Sequence, residues 1–191
     1  TPIAEASIIG FAVGAALNGY RPVVEIMFGD FLSLGFDQIL QQVSKIPEMY
    51  GRKINLPLII RTPMGGRRGY GPTHSQNIEK HFLFLPNIRM IALNSYINPI
   101  DIYKSLINND YMPTIVIEDK IGYTKKLCEI EIRGYKVMRS SEDFPTLFFK
   151  PTGITANLTI LCYGGMLDEV LRAMSELLEE EAYPHIICPL E

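Results

Sequence analysis

Two residues that can move protons, Glu5 and His74, stand beside unusual local sequences. Glu5 lies in "TPIAEA", immediately before a run of small apolar residues. A carboxylic acid partly enclosed by such residues can exchange a proton with a heterocyclic nitrogen. Alternatively, the carboxylate only interacts favourably with the dipole of the helix that follows. Taken alone, the residue leaves both interpretations open.

His74 follows a glycine-rich loop, "GGRRGYG" at 65–71. Such a loop can bring an imidazole close to a ligand, where it could donate or accept a proton. The alternative is that the ring caps a turn or the next helix. Phe31 and Tyr70 could stack on an aromatic ligand, although an aromatic residue at helical spacing more often belongs to a core.

Two segments superficially resemble ligand-binding motifs. The glycine-rich loop follows a strand, but it matches neither G-x-G-x-x-G nor the phosphate-binding P-loop, so we predict a flexible loop. "GDF" at 29–31, with Asn55 further along, resembles part of a metal-binding Gly-Asp-Gly…Asn motif, but Phe31 replaces the last glycine. The histidines lack the spacing of metal ligands. We predict no metal site.

Strands alternating with helices must position these residues. Small residues at 5–18 predict a helix buried on most sides, and the helical spacing of apolar residues predicts a second helix over 30–50, capped by Asp30. Apolar runs predict strands at 21–27, 56–62, 88–94 and 114–119, with a helix at 98–108 before the last of them. This alternation indicates an α/β fold, a parallel sheet with helices on both faces.

A second strand–helix–strand unit is predicted at 157–190, after a looser stretch. We therefore expect a first domain over 1–125, a linker over 126–155 and a second domain over 156–191. We also expect both domains to be incomplete, the first at its N-terminal end and the second after its start.

Composition narrows the class of protein. Hydrophobic residues make up 47% of the chain and charged residues 20%, enough for an apolar core. A net charge of -3 gives no electrostatic reason to expect nucleic-acid or membrane binding. Cys128, Cys162 and Cys188 are widely spaced, which favours free thiols in a reducing, cytoplasmic setting over a disulfide framework.

Five segments closely resemble one enzyme family in their order and spacing. The matching residues are "TPIAEASIIGFAVGAALNG", "RPVVEIMFGDF", "FDQI", "LPLIIRTPMGG" and "THSQ". They resemble the beta subunit of thiamine-diphosphate-dependent 2-oxo acid dehydrogenases, which act on pyruvate or branched-chain 2-oxo acids, and the related acetoin dehydrogenases. The resemblance runs from Thr1 to about Tyr123. It continues more weakly over 156–191, which is similar to the start of a transketolase-type C-terminal domain.

The resemblance implies roles for three residues. Glu5 matches the glutamate that contacts the aminopyrimidine ring of thiamine diphosphate, and Phe31 matches the aromatic residue that packs against that ring. His74 matches an active-site histidine implicated in acyl transfer to a lipoyl group. The loop at 65–73 matches a segment lining the cofactor entrance. Its version here is bulkier and more basic than usual, which could alter substrate size or partner docking.

The resemblance also implies partners. This chain would bind only the pyrimidine end of the cofactor, while an alpha-type subunit or domain holds the diphosphate and magnesium. Self-association as a dimer or heterotetramer and a lipoyl-bearing acyltransferase are expected, and the chain alone would be inactive. The segment "NNDYMP" (108–113) is one residue longer than the usual form, which puts in doubt a structural cation site found there in some members.

The leading hypothesis is therefore a subunit for oxidative decarboxylation of a 2-oxo acid. One alternative is another thiamine-dependent transferase, such as an acetoin dehydrogenase or a transketolase-like enzyme. Another is a non-catalytic interaction subunit of the same fold. The presence of both Glu5 and His74 favours an enzyme over that last alternative.

Overall fold

The computed structural model describes residues 1–52, 54–108, 111–127 and 131–191. The α-helices are α1 (Glu5–Leu17), α2 (Ile46–Met49), α3 (Pro99–Asn108) and α4 (Met166–Glu179). The strands are β1 (Val23–Glu25), β2 (Ile59–Met64), β3 (Arg89–Ala92), β4 (Thr114–Asp119), β5 (Tyr135–Arg139), β6 (Leu147–Pro151), β7 (Leu158–Leu161) and β8 (Pro184–Cys188). Asn109 and Asp110, in the segment of the doubted cation site, lie outside the described residues, as does Cys128.

The first sheet is parallel throughout, with strand order β1-β2-β4-β3. Its central strands are apolar on both faces because both faces are covered. Ile60 and Ile115 pack in one core with α1, whereas Ile59 and Val116 pack in a second core with α3 and the second sheet. The predicted α/β fold, with helices on both faces of a parallel sheet, is confirmed.

Helix α1 covers the first sheet with one side only. Ile9, Ala12, Val13 and Ala16 are buried, but Phe11 on the opposite side is 81% exposed. The prediction that this helix is buried on most sides is therefore wrong for this chain. The 3₁₀-helix that follows packs tightly on this side, since a Cβ at Gly35 would overlap Ile9 Cδ1. The helix ends before Gly19, whose positive φ of 88° suits glycine.

The single helix predicted over 30–50 is divided into three. A 3₁₀-helix spans Gly29–Gly35, a π-helix spans Gln38–Val43, and α2 follows. The segment packs along α1, and its buried residues face that helix. A regular α-helix would rotate some of them away, so changes of helical pitch preserve the packing.

The second sheet has the order β5-β6-β8-β7. β7 and β8 are parallel neighbours joined through α4, whereas β6 is antiparallel to both β5 and β8. β5 and β6 lie within 126–155, so the prediction of a plain linker there is wrong, although the domain boundaries stay a prediction. Glycine and proline surround both strands and obscure the short apolar pattern.

The two sheets share a core and direct polar contacts. The amide of Ala92, at the end of β3, donates to the carbonyl of Leu190, just after β8, at 2.9 Å. Arg89 on β3 pairs with Glu191 at 2.8 Å. Among the described helices, none is long and apolar enough to cross a membrane.

Candidate active site

The predicted site residues lie around the carboxyl edge of the first sheet. β2 ends at Met64 and β4 ends at Asp119, and the two strands are hydrogen-bonded neighbours. The loop after β2, residues 65–78, carries His74 and is called the His74 loop. In parallel sheets, ligands bind beyond the carboxyl ends of the strands. The His74 loop therefore occupies the position expected of a ligand-binding segment.

His74 contacts two aromatic rings. Its ring lies edge-on to Phe31 at a centroid distance of 5.1 Å and to Phe28 at 5.2 Å. Its Nδ1 lies 2.9 Å from the hydroxyl oxygen of Thr73. This contact leaves Nε2 as the ring nitrogen available to a substrate. The structure thus brings His74 and Phe31 together as one wall of the site.

Lys120 completes this wall from the end of β4. The residue is only 4% exposed, and its ammonium group lies 4.6 Å from the centre of the Phe28 ring. It also donates to the backbone carbonyl of His74. Burial lowers the pKa of Lys120; Asp30 opposes this shift, and Arg68 adds to it. The amine therefore anchors the His74 loop in a poorly solvated, aromatic environment.

Asp30 is buried against the same loop. Its Oδ1 accepts hydrogen bonds from the backbone amide and the side-chain amide of Gln76, at 3.1 and 3.0 Å. Its Oδ2 is buried and has no hydrogen-bond partner among the described residues. The prediction of Asp30 as a helix cap is wrong, because the 3₁₀-helix begins at Gly29 without a side-chain cap and the carboxylate faces the loop.

Together these residues form the His74 cluster: Phe28, Asp30, Phe31, His74 and Lys120. Phe28 and Lys120 were missed from the sequence. Lys120 had a usable signal, since it directly follows a buried parallel strand, where functional residues collect. Phe28 had none, because its contacts depend on the path of the chain between β1 and the 3₁₀-helix.

Glu5 lies in the first turn of α1 and is half-buried. The described part of the chain offers its carboxylate no hydrogen bond or ion pair. Its backbone carbonyl lies close to Gly35, at the end of the 3₁₀-helix that carries Phe31. The structure therefore places Glu5 on a helix packed against the Phe31 segment, without direct contact between its side chain and His74. The roles of all three residues stay predictions.

The backbone of the His74 loop turns sharply at three positions that favour glycine. Gly65, Gly69 and Gly71 have positive φ angles of 99°, 76° and 73°. At Gly65 the need is also steric, since a Cβ there would lie 3.3 Å from Asp119 Oδ1. Within the described ranges, no group of three or more histidine, cysteine, aspartate or glutamate side chains could hold a metal ion.

A second polar group on this edge, which we call the closed network, consists of Arg61, Glu118, Tyr103 and Tyr123. Glu118 is buried and accepts hydrogen bonds from Arg61 Nε at 3.1 Å, from Arg61 Nη2 at 2.6 Å and from both tyrosine hydroxyls. Burial alone would raise the pKa of Glu118, but these hydrogen bonds outweigh it and lower that pKa. Arg61 also pairs with the exposed Glu25 at 2.8 Å.

The fold and this site define a member of a known domain family. A family model described as "Transketolase, pyrimidine binding domain" matches residues 1–126, and the chain belongs to that family. Among curated proteins, the chain is 35% identical over 193 residues to the "Pyruvate dehydrogenase E1 component subunit beta" of Chaetosphaeridium globosum, covering 98% of this chain and 55% of that protein. A protein of the same name from Leifsonia xyli is 32% identical over 192 residues, with coverages of 95% and 51%.

The chain thus spans about half the length of the curated relatives it matches. Among solved structures, a "Split gene transketolase, inactive beta4 tetramer" superposes with a TM-score of 0.64 at 19% identity, covering 97% of this chain and 54% of the other. A transketolase mutant from Pichia stipitis gives a TM-score of 0.61 at 17% identity, with coverages of 90% and 23%. These likenesses show the fold.

Proposed function

We propose that the chain is the pyrimidine-binding, beta-type part of a thiamine-diphosphate-dependent 2-oxo acid dehydrogenase. In this proposal the complete protein takes part in the oxidative decarboxylation of a 2-oxo acid and in acyl transfer to a lipoyl group. The printed names of the curated relatives support this class. The observation that carries it is the contact of His74 with Phe31, beside a helix that presents Glu5.

The residues present fit the pyrimidine end of the cofactor. An aminopyrimidine offers nitrogens that a carboxyl group can hydrogen-bond, and a flat face that an aromatic ring can contact. The half-buried Glu5 carboxylate has no other hydrogen-bond partner among the described residues, and Phe31 supplies the ring. Thiamine diphosphate, when bound, supplies the electron sink for loss of carbon dioxide.

The chain's own residues would then hold and move protons. Glu5 would exchange a proton with a ring nitrogen of the pyrimidine, and Phe31 would fix the plane of that ring. His74 would present Nε2 to the acyl group during its transfer. Phe28 and Phe31 flank the imidazole, so they would limit the access of water to it.

We propose that an alpha-type subunit or domain holds the diphosphate and its magnesium ion, and that the assembly is a dimer or heterotetramer. The exposed apolar side of α1, with Phe11, supports a partner surface next to Glu5. A lipoyl-bearing acyltransferase would accept the acyl group. A cytoplasmic location is part of the proposal, and the free, buried Cys162 and Cys188 suit its reducing environment.

The test is release of carbon dioxide by the full-length protein with its alpha-type partner, thiamine diphosphate and magnesium. The panel contains pyruvate, 2-oxoisovalerate, 2-oxoglutarate and acetoin. We expect one 2-oxo acid to be turned over, and Glu5→Gln to lower that rate by about 10²–10⁴-fold with the fold intact. The control is Glu48→Gln, the same change on an exposed surface, which should leave the rate unchanged.

Normal turnover in the Glu5→Gln enzyme would contradict the mechanism. Turnover of acetoin alone, or no turnover with bound cofactor, would favour another thiamine-dependent transferase. An assembled complex that fails to bind the cofactor would instead indicate a non-catalytic interaction subunit.

A further inference from the structure

Hydrogen bonds made by the side chains of Arg68, Lys120 and Asp30 hold the His74 loop against the carboxyl edge of the first sheet. Arg68 donates to the Lys120 carbonyl at 3.0 Å, Lys120 donates to the His74 carbonyl, and Gln76 donates to Asp30. These contacts hold the middle of the loop. They leave open what fixes its C-terminal end, where the chain enters a 3₁₀-turn at Glu79–His81.

Glu79 connects the C-terminal end of the His74 loop to the second sheet. The residue is 6% exposed, and its Oε1 accepts a hydrogen bond of 2.9 Å from the hydroxyl of Tyr163. Tyr163 lies just after β7, so the bond joins the residue that follows the His74 loop to the edge of the second sheet, across 84 residues of sequence. Both residues line a cavity of about 300 Å³ between the sheets.

The carboxylate of Glu79 is only half satisfied. Its Oε2 is buried and has no hydrogen-bond partner among the described residues. A buried carboxylate with an unpaired oxygen opposes folding, so its single partner matters more than an ordinary surface hydrogen bond. Tyr163 itself is 48% exposed. Its partial burial raises the pKa of its phenol, and the hydrogen bond to Glu79 raises it further, so the phenol remains a donor through neutral pH.

A second side-chain contact, between the His74 loop and α4, is weaker because it is exposed to water. Arg67 pairs with Glu169 on α4, but Arg67 is largely exposed. An exposed ion pair contributes little, because water screens the charges and two long side chains must be ordered. Glu79 is also rigidly connected, since Phe82, whose amide donates to the Glu79 carbonyl at 2.9 Å, is buried.

We propose that Glu79 is a positioning residue that, through Tyr163, makes the placement of the His74 imidazole depend on the docking of the second sheet. Glu79 touches no reacting atom in this proposal. It fixes the position of the C-terminal end of the His74 loop, and that loop carries the imidazole that contacts Phe28 and Phe31. The inference rests on the proposed function, in which His74 serves acyl transfer. It goes beyond that function by making the second sheet part of the active-site geometry.

The first test uses hydrogen–deuterium exchange of the full-length protein in its complex. Tyr163→Phe removes the donor and should speed amide exchange in the His74 loop about tenfold, the size expected for one net hydrogen bond. Glu79→Gln keeps an acceptor oxygen for Tyr163 and should show a much smaller change. The matched control is Tyr135→Phe, which removes a buried hydroxyl with no hydrogen-bond partner among the described residues and should leave the loop unchanged.

The second test compares two rates in the same variants, acyl transfer to lipoamide and decarboxylation with an artificial electron acceptor. Tyr163→Phe and Glu79→Ala should slow acyl transfer about tenfold while decarboxylation stays within about twofold, and Glu79→Gln should restore most of the transfer. A purely structural role would lower both rates together with the unfolding temperature. That result, or an unchanged ratio with unchanged loop exchange, would overturn the proposal.

The two proposals fail separately. If the wild-type assembly decarboxylates no 2-oxo acid, the proposed function fails, while loop exchange in Tyr163→Phe still decides whether Glu79 positions the loop. If turnover is normal but Glu79→Gln slows acyl transfer as much as Glu79→Ala does, the positioning role fails and the proposed function stands.

Discussion

The closed network and the His74 cluster lie on the same edge of one sheet and use their polar groups in opposite ways. In the closed network, both oxygens of Glu118 accept two hydrogen bonds each, from Arg61, Tyr103 and Tyr123. In the His74 cluster, one buried oxygen of Asp30 has no hydrogen-bond partner in the part of the chain that the structure describes, and Lys120 is buried among aromatic rings. The carboxylate of the closed network is therefore saturated with hydrogen bonds from described residues, whereas the carboxylate of the His74 cluster is not.

This difference suggests that the closed network stabilises the fold, whereas the His74 cluster serves the chemistry. A fully satisfied buried network makes the fold more rigid, whereas an unpaired buried group costs free energy and persists where function needs it. A cavity of about 510 Å³ borders the closed network, yet the carboxylate behind it has no free lone pair to offer a ligand. We therefore expect damage to the closed network to affect folding, and damage to the His74 cluster to affect rates.

The largest effect should come from His74→Ala. Loss of the imidazole should slow acyl transfer to lipoamide by about 10²–10⁴-fold, because a positioned proton donor or acceptor is removed. Decarboxylation should fall less, and the free energy of unfolding should barely change. The control is His81→Ala, an exposed histidine seven residues on. A large loss of stability in His74→Ala would show that the cluster is structural and break the comparison.

The next largest effect should come from Glu118→Gln in the closed network. Removing the charge leaves Arg61 unpaired on its inner side and should cost about 3 kcal/mol in the free energy of unfolding, the low end for a broken buried pair, because Arg61 is partly exposed. Glu25→Gln, the same change on the exposed partner of the same arginine, should cost less than about 1 kcal/mol. Urea unfolding of both variants gives the comparison, and equal costs would contradict it.

Lys120→Met should have a smaller effect on stability. The ammonium is poorly solvated in the fold, so an uncharged side chain of similar length should change the free energy of unfolding by no more than about 1 kcal/mol. Since burial lowers the pKa of Lys120, the unfolded chain binds its proton more tightly, and wild-type stability should rise with pH just below 10.5; the variant should lose that rise. Urea unfolding near neutrality and in that window measures both.

Acyl transfer should nevertheless fall by about tenfold or less in Lys120→Met, because the His74 carbonyl loses its donor. Lys80→Met, on an exposed residue, is the matched control. A loss of several kcal/mol in Lys120→Met would place this lysine with the closed network instead.

The sequence predicted regular elements better than contacts. The strands of the first sheet were found because short apolar runs mark them, such as residues 58–60 and 115–117, and that pattern is local. The division of 29–50 into three helical segments could not be found, since it depends on packing against α1. β5 and β6 were missed because their short apolar pattern is interrupted by turn residues.

The site shows the same limit. His74 and Phe31 could be proposed from local sequence and from the family resemblance. The hydrogen bonds between Asp30 and Gln76 and between Glu79 and Tyr163 join residues 46 and 84 positions apart, so they exist only once the chain has folded. Secondary-structure propensity and the spacing of residues along the chain do not predict contacts between residues so far apart in sequence.

The smallest effect should come from Tyr123→Phe, which tests whether the closed network is as saturated as it looks. Burial raises the pKa of Tyr123, and its hydrogen bond to Glu118 raises it further, so the folded chain holds the phenol proton more tightly than the unfolded chain. The bond's contribution is therefore fully present below the usual value of 10.0 and is lost as pH rises towards the raised pKa. At neutral pH the variant should lose about 1 kcal/mol or less, because Tyr123 is half exposed and Arg61 still holds the same oxygen.

The deciding measurement is urea unfolding at a series of pH values from neutral to well above 10. The wild type should lose stability on the alkaline side, and Tyr123→Phe should lose less, so the two curves converge. Tyr20→Phe, on an exposed tyrosine after α1, should run parallel to the wild type. Parallel curves for Tyr123→Phe would mean that Glu118 gains nothing from this phenol. The Glu118 carboxylate would then have an unused lone pair. The only difference left between the closed network and the His74 cluster would be the buried charge on Lys120.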